Sequence, residues 1–324
     1  MSADLDTCLH SSPWVEGLIS LVQRAGESIL QVYQQHDEGR GGVQEKSDGS
    51  PVTQADLAAH AVLSAALPAF LPACPVVSEE DEASWVHRRA RGRYWLIDPL
   101  DGTREFLQRN GEFTVNVALI VEGQVRFGLV GRPTEATAFW GGQGLGAWRR
   151  TGLAGASLPL LTPVDRFSMP GNIALRVVVS RSHLDAQTQA FMQALEQPLP
   201  GGAAADSADP DDSVGSVDSA AGDPGVRGRR VLRVQAGSSL KFCSLAAAQA
   251  DLYPRLGPTH EWDTAAAQAV LEGAGGVVLD LQGQPLRYGK ADPLNPSFIA
   301  AGSARWVDAE LLALLRQASD HRSA

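Results

Sequence analysis

Tyr94-Trp95-Leu96-Ile97-Asp98-Pro99-Leu100-Asp101-Gly102-Thr103 is the stretch on which the reading of this chain turns. Its apolar start predicts a short buried strand over Tyr94–Ile97, ending at Asp98. Pro99 has no N–H and a fixed φ, so the backbone between the two aspartates is restrained. Such a bend can present both carboxylates and the Leu100 carbonyl to one metal cluster. Gly102 and Thr103 then supply N–H groups at the start of a short helix, which suits a phosphate.

Two further stretches place carboxylates where a strand ends or a helix begins: Ser78-Glu79-Glu80-Asp81 and Trp262-Asp263-Thr264-Ala265-Ala266. Each has a plainer reading when taken alone. Asp101-Gly102 fits a turn, Ser78–Asp81 a solvated acidic loop, and Asp263 a helix N-cap. Asp56, three residues after Thr53, makes a capping-box pattern that needs no function. The conjunction of all three stretches carries the signal, because each plain reading needs its own coincidence. The donors are oxygens, as magnesium requires. Neither His nor Cys recurs at ligand spacing, which argues against zinc.

Outward from these stretches, the first half reads as two helices and a largely antiparallel sheet. Apolar residues recur at three- and four-residue spacing from Trp14 to His36, and a second helix is predicted from Thr53 to about Leu67. A polar, Gly-rich loop is expected over Glu38–Ser50, and a strand over Pro75–Ser78. Val115–Val121 and Gln124–Val130 form one hairpin around Glu122-Gly123, and Thr137–Trp140 with Ala147–Arg149 a second. The Gly141–Gly146 run matches no nucleotide-loop pattern and reads as that second turn. Strands are expected over Arg176–Val179, Val231–Gln235 and Val277–Leu281, with helices over Asp185–Glu196, Leu240–Ala250 and Asp263–Glu272. This alternation implies an α/β unit. The expected division is a metal- and phosphate-binding α+β domain over 1–165 and a substrate-side α/β domain over 166–324. Within the second, 197–229 reads as a disordered acidic insertion, rich in Gly, Ala, Ser, Asp and Pro and without an aromatic residue.

Bulk properties exclude several classes. Of 324 residues, 44% are hydrophobic, an ordinary globular share. The net charge is −10, which argues against a nucleic-acid partner. Residues 203–225 carry six of the aspartates and no Lys or Arg, so without them the balance is −4. Three scattered cysteines, Cys8, Cys74 and Cys243, make no disulfide framework and fit a reducing compartment. No apolar run approaches a bilayer span, and Met1–Ser12 lacks the basic start of a secretory signal. A cytoplasmic location is expected, with no integral membrane segment. Composition and pattern leave the oligomeric state open.

The same stretches, together with Lys46–Thr53 and Gly257-Pro258-Thr259, resemble the inositol monophosphatase superfamily. Arg109–Asn116, Ser180-Arg181-Ser182-His183 and Gly237–Cys243 resemble its bacterial CysQ-type branch of 3′(2′),5′-bisphosphate nucleotidases. The resemblance implies a layered α-β-α-β-α sandwich, with a mainly antiparallel first sheet and a mixed second. It implies a metal-dependent phosphomonoesterase using two or three Mg2+ ions, held by Glu79, Asp98, the Leu100 carbonyl, Asp101 and Asp263. Thr103 and Asp56 would activate the attacking water, with Glu80 an acid behind the ligands. Glu79, Leu100, Asp101, Gly102, Thr103 and Asp263 would also line the substrate site, joined by His183, Ser238 and Lys241. Lys241 reads equally as a solvated lysine in a helix's first turn, and His183 as a helix-cap residue. The implied substrate is 3′-phosphoadenosine 5′-phosphate, giving AMP and phosphate. Inositol or sugar phosphates are the alternative substrates, and an inactive nucleotide- or metal-binding regulator is the alternative role. Members of the branch are sometimes peripheral on the inner membrane, but no basic amphipathic helix here supports that.

Overall fold

The computed structural model describes residues 5–36, 43–45, 51–89, 92–152, 154–161, 174–181, 185–197 and 230–320. In chain order the first half runs α1 (Leu5–Leu9), α2 (Ser12–His36), β1 (Val43–Glu45), β2 (Pro51–Thr53), α3 (Gln54–Ala66), β3 (Val76–Ser78), β4 (Arg93–Asp101), α4 (Thr103–Leu107), β5 (Thr114–Val121), β6 (Gln124–Arg132), β7 (Thr137–Gly142), β8 (Gly146–Thr151) and β9 (Leu158–Leu160). The second half runs β10 (Leu175–Ser180), α5 (Ala186–Glu196), β11 (Val231–Ala236), α6 (Leu240–Ala246), β12 (Leu252–Arg255), α7 (Glu261–Gly273), β13 (Val277–Asp280), β14 (Phe298–Ala301) and α8 (Ala309–Asp320).

β3 to β9 form a seven-stranded sheet in sequence order, antiparallel except for the β3–β4 pair. The second sheet has order β11-β10-β12-β14-β13 and is mixed: β10 is parallel to both β11 and β12, and the β14 pairs are antiparallel. Strand alternation assigns each face its own core. Along β4, Trp95 and Ile97 face α2 and α3, while Tyr94 and Leu96 face the opposite core with α6 and α7. Along β14, Phe298 and Ala300 share that middle core, and Ile299 and Ala301 pack with α5 and α8. The layers are therefore α2/α3, sheet, α6/α7, sheet, α5/α8, the α-β-α-β-α sandwich that the resemblance implied. Helix α7, in the central layer with α6, is buried along almost its whole length. It lies so close to the first sheet that a Cβ on Gly128 would overlap the Ala266 carbonyl.

Several boundaries differ from the sequence reading, each for a physical reason. The strand read as ending at Asp98 continues to Asp101 through an irregularity in its pairing. The expected Leu240–Ala250 helix stops at Ala246. Ala248 takes φ +57°, its N–H bonds Leu245 O, and Gln249 N–H bonds Ser244 O, a Schellman closure. An alanine in the place usually held by glycine hid that stop. Part of the stretch read as loop, Val43–Glu45, pairs antiparallel with Pro51–Thr53. Strands β9, β12 and β14 and helices α1 and α8 were not expected. The remainder of the Glu38–Ser50 loop, the insertion beyond Gln197, and His183 lie outside the described residues. Among the described residues, no helix is long and apolar enough to cross a membrane.

Candidate active site

β4 brings its aspartates to one place through an insertion in the ladder. Asp98 is paired with Asn116 and Asp101 with Thr114, so three steps along β4 answer two along β5. That is a bulge. Residues three apart on a regular strand face opposite sides, and the extra residue re-phases them. The Leu100 N–H donates to Asp98 Oδ1 at 3.1 Å and closes the bend, while the Leu100 side chain is anchored in the core.

β3 lies parallel to β4 with Ser78 opposite Ile97, and Glu79 N–H donates to Ile97 O at 3.2 Å. Glu79 is thereby set beside Asp98. Asp263 arrives from the first turn of α7, where its Oδ2 accepts His260 N–H at 2.8 Å. Carboxylate oxygens of Glu79, Asp98 and Asp263 lie within 4.8 Å of one another. Burial and the neighbouring Asp101 and Glu79 carboxylates push Asp263 up to about 8. A crowd of like charges made only of oxygen donors, with Asp98 buried and Glu79 and Asp263 half-buried, suits a hard divalent cation, which relieves the repulsion and satisfies the lone pairs. The residues present fit magnesium.

Asp101 adjoins this trio with one oxygen already engaged. Its Oδ2 accepts Ser239 N–H at 2.7 Å and Ser238 Oγ–H at 2.6 Å, with Asn116 Nδ2 at 3.3 Å and Thr114 Oγ1 at 3.4 Å. Asp56 is fully buried and serves two elements. Its Oδ2 accepts Thr53 N–H (2.7 Å) and Oγ1 (2.6 Å), the capping box of α3, and its Oδ1 accepts Thr103 Oγ1 at 3.4 Å. Gly102 precedes α4 at φ +92°, a conformation that favours glycine. Glu80 is half-buried, with its N–H on Ser78 Oγ at 3.2 Å, and it belongs to neither the carboxylate trio nor the cavity lining described next.

Glu79, Asp101, Gly102, Thr103 and Asp263 open onto a cavity of about 580 Å³ between the two sheets. Ser238 and Lys241 line it as well, so of the expected site residues the structure groups all but Glu80 in or directly behind this cavity, with His183 outside the described set. Lys241 is 7% exposed, not solvated: its Nζ donates to Ser238 O at 2.9 Å and lies 5.7 Å from the centre of the Tyr253 ring. Sequence reasoning missed Tyr253 and Arg255, which line the cavity from β12. A four-residue strand ending in Arg carries no distinguishing signal. Thr114 and Asn116 were also given no role, although their two-residue spacing on a strand places them on one face.

The arrangement agrees with comparisons to known proteins. The profile described as "Inositol monophosphatase family" matches residues 10–321. The chain is 39% identical over 287 residues to the 3′(2′),5′-bisphosphate nucleotidase CysQ of Shigella flexneri, covering 88% of this chain and 98% of that one. It is 38% identical over 287 residues to the protein of the same name in Escherichia coli K12, with the same coverage. Among solved structures, CysQ from Bacteroides thetaiotaomicron, described as a bacterial member of the inositol monophosphatase family, superposes with a TM-score of 0.64 at 32% identity, covering 87% of this chain and 94% of that one. The SuhB protein of Bartonella henselae, at 19% identity and TM-score 0.66 over 94% of this chain and 99% of that one, shares the fold. With its carboxylate cluster, five-layer sandwich and sequence in agreement, this chain belongs to the inositol monophosphatase family.

Proposed function

We propose that this protein is a magnesium-dependent 3′(2′),5′-bisphosphate nucleotidase that hydrolyses 3′-phosphoadenosine 5′-phosphate to AMP and phosphate. The observation that carries the reading is the convergence of Glu79, Asp98 and Asp263 at a cavity lined also by three cations, Arg104, Lys241 and Arg255. The carboxylates suit metal and reacting phosphate. The cations suit a second phosphate, which a bisphosphorylated nucleotide has and a simple monoester lacks. These cations favour the nucleotide over inositol phosphate. The filled set of acidic positions favours an enzyme over an inactive regulator.

Glu79, Asp98 and Asp263, with Asp101 and the Leu100 carbonyl, would hold the magnesium. Four carboxylates exceed the one or two that a single magnesium ordinarily uses, which supports two or three ions. Bound there, magnesium supplies Lewis-acid activation of water and neutralises phosphoryl and leaving-group charge. Thr103 hands its proton to Asp56 as a hydrogen-bond donor, so its own oxygen is left to accept from the attacking water. Asp56, fixed by the capping box, orients Thr103 and draws that proton onward. Gly102 and Thr103 offer backbone N–H groups to the phosphoryl oxygens. The displacement then needs no covalent enzyme intermediate. Glu80 acts behind the metal ligands by adding negative charge to the loop that bears Glu79. A cytoplasmic site of action is part of this reading, supported by three cysteines that are free thiols.

Phosphate release from 3′-phosphoadenosine 5′-phosphate and from inositol 1-phosphate, with magnesium, with EDTA and with Asp98→Asn, tests it. Magnesium-dependent release from the nucleotide, lost in the variant, is expected. Preference for inositol 1-phosphate sinks the nucleotidase assignment, and no release from either favours the regulator.

A further inference from the structure

The three stretches that resemble the nucleotidase branch, 109–116, 180–183 and 237–243, meet at one carboxylate outside the cavity. Glu112 stands just before β5. Its Oε1 accepts Arg181 Nη2 at 2.6 Å, and its Oε2 accepts both Arg181 Nε and Gly237 N–H at 2.8 Å. Arg181 follows the last residue of β10 and Gly237 the last residue of β11. These strands are parallel neighbours with Ser180 opposite Ala236. A single side chain from the segment leading into β5 thus clamps the carboxyl ends of two parallel strands in the second sheet. Ligands of α/β sheets bind in the crevice beyond such ends.

The residues next to the clamped pair, Ser180 and Ser238, line the active-site cavity, and Glu112 does not. The fit is close at Gly237, where a Cβ would stand 2.8 Å from Glu105 Cγ and 2.9 Å from Glu112 Cβ. Two further residues continue the pattern along β5. Thr114 Oγ1 meets Ser238 Oγ at 2.6 Å, and Asn116 Nδ2 donates to Ser239 Oγ at 2.8 Å. Residues 112, 114 and 116 therefore hold 237, 238 and 239 in register. The last two also reach Asp101. Glu112 differs from them because its bonds end on the substrate-side segments.

We propose that Glu112 is a specificity-determining positioning residue, which clamps Arg181 and Gly237 so that the Ser180 and Ser238 segments are set to receive the part of a bisphosphorylated nucleotide beyond the reacting phosphate. The proposal rests on the nucleotidase reading. A small ester occupies only the carboxylate end of the cavity and does not depend on the clamp.

Steady-state kinetics of Glu112→Gln, Arg181→Met and the double variant test this, with 3′-phosphoadenosine 5′-phosphate and with p-nitrophenyl phosphate. Gln keeps an acceptor for Gly237 but loses the charge facing Arg181, and Arg181 is 40% exposed, so both variants are mild. Each single variant is expected to raise KM for the nucleotide about tenfold, as loss of a charged hydrogen bond does. Its kcat should change less than about twofold, as should every constant for p-nitrophenyl phosphate. The double variant should be no worse than the poorer single one, because the two residues act as one unit. Equal losses on both substrates, additive losses, or an unchanged KM overturn the proposal while leaving the nucleotidase reading intact. A wild-type protein that hydrolyses p-nitrophenyl phosphate but not the nucleotide overturns the reading, and the proposal with it.

Discussion

Ser238 Oγ lies 2.6 Å from Asp101 Oδ2 and 3.0 Å from the Asp101 carbonyl, and this contact ties the start of α6 to the end of β4. The two residues are 137 positions apart. Ser238 makes the bond from φ +51°, a strained conformation for any residue but glycine. A hydroxyl is thus held at a backbone cost where it fixes a proposed metal ligand.

Replacing Ser238 separates hydroxyl from backbone. Both Ser238→Ala and Ser238→Gly should lower kcat about tenfold or more, by releasing Asp101. The glycine variant should be the more stable of the two by about 1 kcal/mol, since it relieves the positive φ. Kinetics and thermal unfolding on both variants check this. Full activity in the glycine variant would show that conformation, not the hydroxyl, matters.

Thr103 and Asp56 should behave as a unit. Thr103→Val is expected to lower kcat by about 100-fold or more with little change in stability. Asp56→Ala should lower kcat equally and also remove the α3 capping box, costing roughly 1–2 kcal/mol. The double variant should be no slower than either single one. Strictly additive rate losses would separate the two roles.

Asp263 makes stability depend jointly on pH and metal. Its folded value of about 8 lies above its ordinary 3.8, so the folded state holds its proton more tightly than the unfolded state. Its ionisation therefore opposes folding increasingly as pH rises from about 4 to about 8, and fully above that. In EDTA at pH 8, Asp263→Asn should melt higher than wild type. Added magnesium should raise the wild-type melting point and leave the variant's nearly unchanged. A variant that melts lower in EDTA would contradict this.

Buried Glu261 braces the turn that carries Asp263. It accepts Gly289 N–H and Lys290 N–H at 3.0 Å and Lys290 Nζ at 2.7 Å, and Arg88 Nη1 stands 3.6 Å away. Glu261→Ala leaves Arg88 and these donors uncompensated and should cost about 3–5 kcal/mol in denaturant unfolding. A loss below about 1 kcal/mol would mean that the surroundings rearrange.

Gly128→Ala should disrupt the sandwich at its centre. The new Cβ would overlap the Ala266 carbonyl of α7, a rigid neighbour. Strong destabilisation is expected, with loss of activity because Asp263 rides on the same helix. Wild-type melting behaviour would show that α7 can move off the sheet.

Local pattern made much of this molecule legible. The apolar periodicity of α2, the β5–β6 hairpin around Glu122-Gly123, and the strand–helix alternation of the second half follow from residues within a few positions of one another. So does the availability of Glu79, Asp98, Asp101 and Asp263 as oxygen donors, because acidic groups at strand and helix ends mark themselves. Where the reading failed, the cause lay elsewhere in the chain. The end of α6 rests on an alanine at positive φ, and β14 is only four residues long, with too few positions to show a period.

What tertiary structure alone decided is how these pieces meet. The bulge in β4 exists relative to β5, and only that pairing turns Asp98 and Asp101 to one side. Lys241, read equally as a substrate-site residue and as a solvated lysine, lies buried in the cavity wall against Ser238 and Tyr253. Glu112 had no individual role within the 109–116 stretch until β10 and β11 brought Arg181 and Gly237 to it. The sequence by itself determined which groups are available and which elements carry them, since propensity and hydrophobic period act over a few residues. Their mutual distances, and so their charges and roles, come from packing between segments from about twenty to more than a hundred residues apart, which no local pattern encodes.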